Sequence, residues 1–153
     1  MKSDIFYRAF AESVQSKRCY NPFYHGTRRP KSMPLHIHEW TDQWFNEHFQ
    51  IKARSSCIFV ACHRADVEQY ATAETSVIRQ IHFPEHARYI YSVDVKDLVV
   101  SVDQLQQQLV QDISREDVEQ LLARSDYRCT QDPFSIPDDA GEVMVFCEYY
   151  DVV

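Results

Sequence analysis

The chain has 153 residues, of which 44% are hydrophobic and 25% are charged. These proportions are ordinary for a globular protein and exclude a disordered tail, a collagen-like fibre and a coiled-coil rod. The length suits one domain over residues 1–153. The formal net charge of −7 disfavours nucleic acid as a partner, because basic surfaces bind phosphate backbones.

Hydropathy and cysteine usage predict the compartment. No apolar run approaches the roughly 20 residues that a membrane span requires, and no apolar segment follows Met1–Asp4 as it would in a secretory leader. The five cysteines form an odd set without a Cys-x-x-Cys pair, so we expect reduced thiols rather than a disulfide framework. The sequence therefore predicts a cytoplasmic protein without a membrane segment.

The first third of the chain contains two candidate helices. Apolar residues recur at helical spacing behind Ser3 and predict an opening helix over residues 3–16. Three prolines interrupt the next stretch, and the aromatic run at 23–25 between them predicts an extended segment or strand. Aromatic residues then recur from Trp40 to Phe49 and predict a helix with a core-facing stripe that ends before Lys52.

Strands and helices intermix in the rest of the chain. Apolar runs of strand length predict strands at 57–61, 89–95 and 143–147. The first leads into a short predicted helix at about 65–73. Capping patterns that begin at Ser101 and Ser114 predict two consecutive helices, and a polar loop follows at 125–140. The pattern is that of a single α+β unit.

The two glycines of the chain mark candidate functional positions. Average usage of about 7% would give roughly ten glycines, so we expect each to serve a close approach or a sharp turn. Gly26 follows His25, whose ring nitrogens can bond to a hydroxyl, and Gly141 precedes Glu142. A carboxylate at the start of an apolar strand can stabilise a developing positive charge.

Three motifs resemble the histidine-type branch of the ADP-ribosyltransferase superfamily. The segment Tyr24-His25-Gly26-Thr27 is similar to that branch's Tyr-His-Gly-Thr motif. The strand at 57–61, followed by a helix and Tyr70, resembles its aromatic motif, although Phe59 replaces the usual tyrosine and Cys57 a glycine. Glu142 resembles the glutamate that opens a strand near the C-terminus. The resemblance implies a split two-sheet β core with flanking helices.

The resemblance also implies an activity and a role for each motif residue. The enzyme would use NAD as a co-substrate, release nicotinamide and transfer ADP-ribose to an acceptor, most often a protein and otherwise a small molecule. Catalysis would fall to Glu142 and His25. The implied NAD-binding residues are Tyr24, His25, Gly26, Thr27, Phe59 and Tyr70. Among them, the Gly26 backbone would bind the carboxamide, and Phe59 and Tyr70 would sandwich the nicotinamide ring.

Other residues leave alternatives open. Glu148 is the alternative to Glu142 as the catalytic carboxylate. Tyr7-Arg8 and Arg54-Ser55-Ser56 resemble fragments of the superfamily's arginine-type branch. The basic run at 28–31 is either a solvated loop or a contact for a pyrophosphate, since arginine forks match phosphate oxygens.

Two other functions stay open beside the transferase. Phe59, which loses the tyrosine hydroxyl, is compatible with a non-catalytic module that binds NAD or a protein on a degenerate scaffold. An NAD-dependent RNA 2′-phosphotransferase shares a His-Gly-Thr-like motif, but the acidic net charge disfavours it. The histidines and cysteines lack paired ligand spacing, so no metal is expected.

Overall fold

A computed structural model describes residues 4–11, 17–70 and 77–153. The strands are β1 (Phe6–Phe10), β2 (Lys17–Tyr20), β3 (Ile58–Val60), β4 (Val77–His82), β5 (Arg88–Tyr91), β6 (Arg128–Thr130), β7 (Val143–Phe146) and β8 (Tyr149–Val152). The helices are α1 (Leu35–Phe49), α2 (Ala53–Ser56), α3 (Arg64–Tyr70), α4 (Leu98–Gln108) and α5 (Arg115–Arg124), with a 3-10 turn at Pro133–Ser135. The protein is a small α+β protein, as expected.

Within the described residues, the strands form two antiparallel sheets of four strands each. Their orders are β1-β4-β8-β2 and β3-β7-β5-β6. The sheets meet where an isolated bridge joins Tyr7 of β1 to Ala61 after β3, through reciprocal backbone hydrogen bonds of 2.9 and 3.1 Å. The bridge brings the next residue of β1, Arg8, to the backbone of Phe59.

Strand β7 separates the two main parts of the core. Met144 packs into a cluster with apolar residues of α1, α4 and α5, whereas Val143 and Val145 pack with residues of the other sheet, such as Phe6. Val143, Met144 and Val145 are each fully buried. Side chains that alternate between two buried faces explain why the sequence of this strand is continuously apolar.

Several predicted elements are confirmed. Helix α1 ends at Phe49, where Gln50 adopts a left-handed conformation with φ 59°. The strands predicted at 57–61, 89–95 and 143–147 are β3, β5 and β7. Ser114 caps α5 through a complete capping box with Asp117. Helix α3 covers the predicted 65–73 as far as residue 70, and residues 71–76 lie outside the described residues.

The predicted opening helix is wrong, because Phe6–Phe10 is strand β1 paired along its whole length with β4. Phe6 is buried in the cluster that both sheets share, so burial and pairing override a spacing that also fits a helix. Residues 3 and 12–16 of the predicted helix lie outside the described residues.

The aromatic run at 23–25 is also not a strand. It forms a turn closed by a 2.8 Å hydrogen bond from the Gly26 N–H to the Phe23 carbonyl. The Asn21 side chain accepts the N–H of Phe23 at 2.8 Å, an arrangement typical of asparagine at turns.

Two expectations for the second half of the chain need correction. Helix α4 begins at Leu98 rather than after Ser101, because the Asp97 carboxylate caps it by accepting the N–H groups of Val99 and Val100. The predicted loop at 125–140 contains strand β6 and the 3-10 turn.

We predict that Gly141→Ala destabilises the protein. A Cβ atom at Gly141 would lie 2.5 Å from the Cα of Lys96 and 2.9 Å from its carbonyl oxygen, so the start of β7 would have to shift. The expected loss is about 1–3 kcal/mol in the free energy of unfolding, measured by denaturant titration. Ala123→Ser on the exposed face of α5 is the control, and equal stability of the two variants would contradict the close packing at Gly141.

Candidate functional site

Glu142 borders three adjoining cavities. The first, of about 280 Å³, also borders Arg8 and Phe59. The second, of about 230 Å³, is lined by Phe59 and several cationic side chains, including Arg28 and Arg54. The third, of about 310 Å³, is lined mainly by polar residues of α3 and of the loop before β7. A single carboxylate therefore lies where these spaces meet.

The backbone before β7 fixes the position of Glu142. Its N–H donates to the Lys96 carbonyl at 3.0 Å, and the N–H of Gly141 donates to the Ser92 carbonyl at 3.1 Å. The absence of a side chain at Gly141 permits this approach to Lys96. The predicted link between this glycine and the placement of the glutamate thus has a structural basis.

The Glu142 carboxylate is anchored through one oxygen. The Arg54 Nη1 atom donates to Glu142 Oε1 at 2.7 Å, and the two side chains are 7% and 19% exposed. Within the described residues this is the one hydrogen bond that the carboxylate accepts, so Oε2 is left for a ligand. Burial acts to lower the pKa of Arg54, but the attraction and hydrogen bond of Glu142 raise it above its usual value.

Asp42 of α1 holds the helix that carries Arg54. Its Oδ1 atom accepts the N–H groups of Arg54 at 3.0 Å and Ser55 at 3.2 Å, and its Oδ2 atom accepts the Ser55 hydroxyl at 2.5 Å. The Ser56 hydroxyl donates to the Lys52 carbonyl at 2.6 Å. The four-residue helix α2 is therefore fixed by buried polar contacts rather than by its own length.

Two further arginines lie beside Phe59. Arg8 donates from Nη1 to the Phe59 carbonyl at 3.1 Å, and burial lowers the pKa of Arg8. The Arg28 guanidinium lies 4.0 Å from the ring centroid of Phe23 and 4.4 Å from that of Phe59. Burial, followed by the charges of Arg8 and Arg54, lowers the pKa of Arg28 to about 10. Neither Arg8 nor Arg28 forms an ion pair with a described residue.

The predicted histidine motif lies on the turn before these arginines. His25 is exposed and contacts the ring of Tyr24 edge to face at 5.3 Å, while Tyr24 stacks on Phe146 at 5.0 Å. Gly26 has φ +80°, a value that favours glycine. Gly26 and Thr27 border a cavity of about 300 Å³, which also borders Arg28.

The remaining predicted residues are placed as follows. Phe59 and Glu142 come together at the first two cavities, and the Arg54 guanidinium lies 4.5 Å from the Phe59 ring centroid. Tyr70 ends α3, and its side chain lies outside what the structure describes. The rival carboxylate, Glu148, is exposed between β7 and β8.

Two residues of the arginine-type alternative lie at this site. Arg8 and Arg54 border adjoining cavities that share Glu142. The sequence offered Arg28 only within the basic run at 28–31, as one of two alternatives, and it did not single out Asp42. An arginine between apolar neighbours in a strand, as in Tyr7-Arg8-Ala9, is the sequence pattern that indicates a cation at least partly buried.

In the described part of the chain, no group of three or more histidine, cysteine, aspartate or glutamate residues is arranged to hold a metal ion. No described helix has the length and apolar character needed to cross a membrane.

The chain matches no protein-family model, no curated protein and no solved structure. Its fold and site define it as a small α+β protein with two antiparallel sheets, in which one anchored carboxylate adjoins a group of buried and half-buried arginines.

We predict that Asp42→Ala destabilises the protein, because the Arg54 N–H loses its acceptor and the Ser55 N–H and hydroxyl keep only contacts of 3.2 and 3.5 Å to the Lys52 carbonyl. An unsatisfied buried donor costs about 1–3 kcal/mol, so the expected loss in the free energy of unfolding is at least about 1 kcal/mol by urea titration. Glu39→Ala, at an exposed position of the same helix, is the control. A loss no larger than that of the control would contradict the proposed role of Asp42.

Proposed function

We propose that the protein is an NAD-dependent ADP-ribosyltransferase, which cleaves the bond between nicotinamide and ribose and transfers ADP-ribose to an acceptor. One observation carries this proposal: the Glu142 carboxylate is anchored through Oε1 and borders two cavities that share the Phe59 ring. A fixed carboxylate beside an aromatic ring and buried cations supplies the groups that this reaction requires.

The carboxylate acts on the charge that develops in the ribose. When the bond between C1′ and the nicotinamide nitrogen breaks, the electron pair leaves with nicotinamide and the ribose gains oxocarbenium character. Glu142 stabilises this charge, and its Oε2 atom accepts a hydrogen bond from the 2′-hydroxyl. A nucleophile of the acceptor then bonds to C1′ and loses its proton.

Arg8 and Phe59 provide the remaining contacts in the first cavity. The half-buried guanidinium of Arg8, which has no carboxylate partner among the described residues, suits the diphosphate of NAD, because its planar fork matches phosphate oxygens. The face of the Phe59 ring suits nicotinamide. Because the guanidiniums of Arg28 and Arg54 lie against this ring, nicotinamide must share the ring with them or displace one.

We assign a protein as the acceptor and the cytoplasm as the compartment. The net charge of −7 favours a protein or a small molecule over nucleic acid as acceptor. All five cysteines are free thiols, which fits a reducing compartment.

The central variant is Glu142→Gln, which keeps the shape of the side chain and removes its charge. Loss of one preorganised group of this kind lowers turnover about 10²–10³-fold, so we expect nicotinamide release from NAD to fall by that factor. Release is measured by liquid chromatography, with a cell lysate as the source of acceptors.

Glu148→Gln is the matched control, because it neutralises the exposed rival carboxylate six residues later. We expect it to keep the wild-type rate, and both variants are checked for folding by circular dichroism. A Glu142→Gln protein with wild-type release would refute the role assigned to this carboxylate.

A second pair of variants separates the two sets of candidate NAD residues. Arg8→Lys removes the forked geometry and should raise the KM for NAD by about tenfold, the worth of one hydrogen bond to a charged group. His25→Ala, on the exposed turn, should leave both kcat and KM close to wild type. The reverse result would move the NAD site to the histidine motif.

A non-catalytic NAD-binding module is the second candidate function. The Arg54 ion pair favours it, because a carboxylate that is already paired and partly buried has less to gain from a developing cation. Binding of NAD that raises the melting temperature without any nicotinamide release would support this function instead of the transferase.

A further inference from the structure

The second cavity carries more positive charge than its own carboxylates balance. Four cationic side chains line it, namely those of Arg28, Arg29, Lys31 and Arg54. Its two carboxylates, Asp97 and Glu142, already accept hydrogen bonds from other groups of the protein. Asp97 caps α4, and Glu142 accepts from Arg54. The remaining excess corresponds to two positive charges.

Arg28 is the cation that lacks a counter-ion most clearly. Its Nη2 atom donates to the Cys57 carbonyl at 3.1 Å, while its Nε atom is buried and has no hydrogen-bond partner. The Nε atom of Arg54 is likewise buried and unpartnered. Arginine side chains are rarely buried without a counter-ion, so Arg28, which lines the cavity and forms no ion pair with a described residue, indicates that the cavity lacks an anion.

The shape of the site favours a rigid, preorganised Arg28. Its guanidinium lies against the rings of Phe23 and Phe59, and its backbone N–H donates to the Ser55 carbonyl at 3.0 Å. His38 lines the same cavity, and burial lowers its pKa, which leaves the imidazole neutral near pH 7. The fixed positive charge of the cavity therefore comes from arginine and lysine.

We infer that this second cavity is a binding site for a terminal phosphate or a diphosphate unit, each of which carries at least two negative charges, with Arg28 as its principal ligand. A dianion balances the excess charge and accepts hydrogen bonds from the Nη groups of Arg28 and Arg54, whose side chains line the cavity. Phosphate oxygens match the guanidinium fork, and a carboxylate would supply only one charge. The sequence alternative of a solvated loop at 28–31 does not account for the buried Nε of Arg28.

The inference deepens the proposed function and, as regards the source of the phosphate, rests on it. The phosphate belongs either to the diphosphate of NAD, which would then extend from the first cavity past Phe59, or to a phosphorylated acceptor on the far side of Glu142. The chemistry of the site is the same in both cases.

The test is calorimetric titration of the full chain with inorganic pyrophosphate at constant ionic strength. We expect binding by the wild-type protein and an affinity weakened about tenfold or more in Arg28→Gln, the worth of a hydrogen bond to a charged group. Arg124→Gln, which removes an exposed arginine at the end of α5, should bind like wild type. No binding by the wild-type protein at millimolar pyrophosphate, or equal affinity in Arg28→Gln, would overturn the inference.

A second variant covers the case in which Arg28→Gln lowers the melting temperature. Lys31→Gln removes an exposed charge from the same cavity and should weaken binding by about threefold, as expected for a weaker, solvated contact. Unchanged affinity in a folded Lys31→Gln protein would count against the site.

The source of the phosphate follows from kinetics in the presence of pyrophosphate. A raised KM for NAD with unchanged kcat assigns the cavity to the NAD diphosphate, and a lowered kcat at saturating NAD assigns it to the acceptor. Because pyrophosphate binding does not require turnover, a protein that binds it but releases no nicotinamide would refute the transferase and keep the anion site.

Discussion

The ion pair between Arg54 and Glu142 is the interaction on which the site depends. It joins α2 to the start of β7 at 2.7 Å, across 88 residues of sequence. Asp42 holds one end of this connection through the α2 backbone, and the close packing of Gly141 on Lys96 holds the other. A buried pair of this kind contributes little net stability but defines a geometry, because breaking it leaves a buried charge without compensation.

The charges around this pair are separated in space. Arginines line the second cavity beside Phe59 and Glu142, whereas Asp66, Asp138 and Asp139 line the third cavity together with Lys96. The Glu142 carboxylate therefore borders both a cationic cavity and a largely acidic one. Because the net charge of the whole chain is negative, it does not reveal the local group of arginines beside Phe59.

The parts of the fold that could be predicted are those with strong local signals. Helix α1 has a sustained aromatic stripe, β7 is continuously apolar, and Ser114 forms a complete capping box. Strand β1 was mistaken for a helix because its burial depends on β4, about 70 residues later. Strand β2 has an exposed, mostly polar sequence at a sheet edge and gives no apolar signal.

The site could be predicted only in part, because some of its contacts also join segments that are distant in sequence. The scarcity of glycine indicated Glu142, which follows Gly141, and the apolar strand at 57–61 indicated Phe59. The pairing of Glu142 with Arg54 and the grouping of Arg8 with Arg28 arise from contacts between distant segments. The most direct test is to follow NAD by proton NMR with a catalytic amount of the wild-type protein and a cell lysate that supplies acceptors, beside the same mixture with the Glu142→Gln protein. The account predicts steady growth of free nicotinamide signals over many turnovers, and unchanged NAD signals beside a folded protein would contradict it.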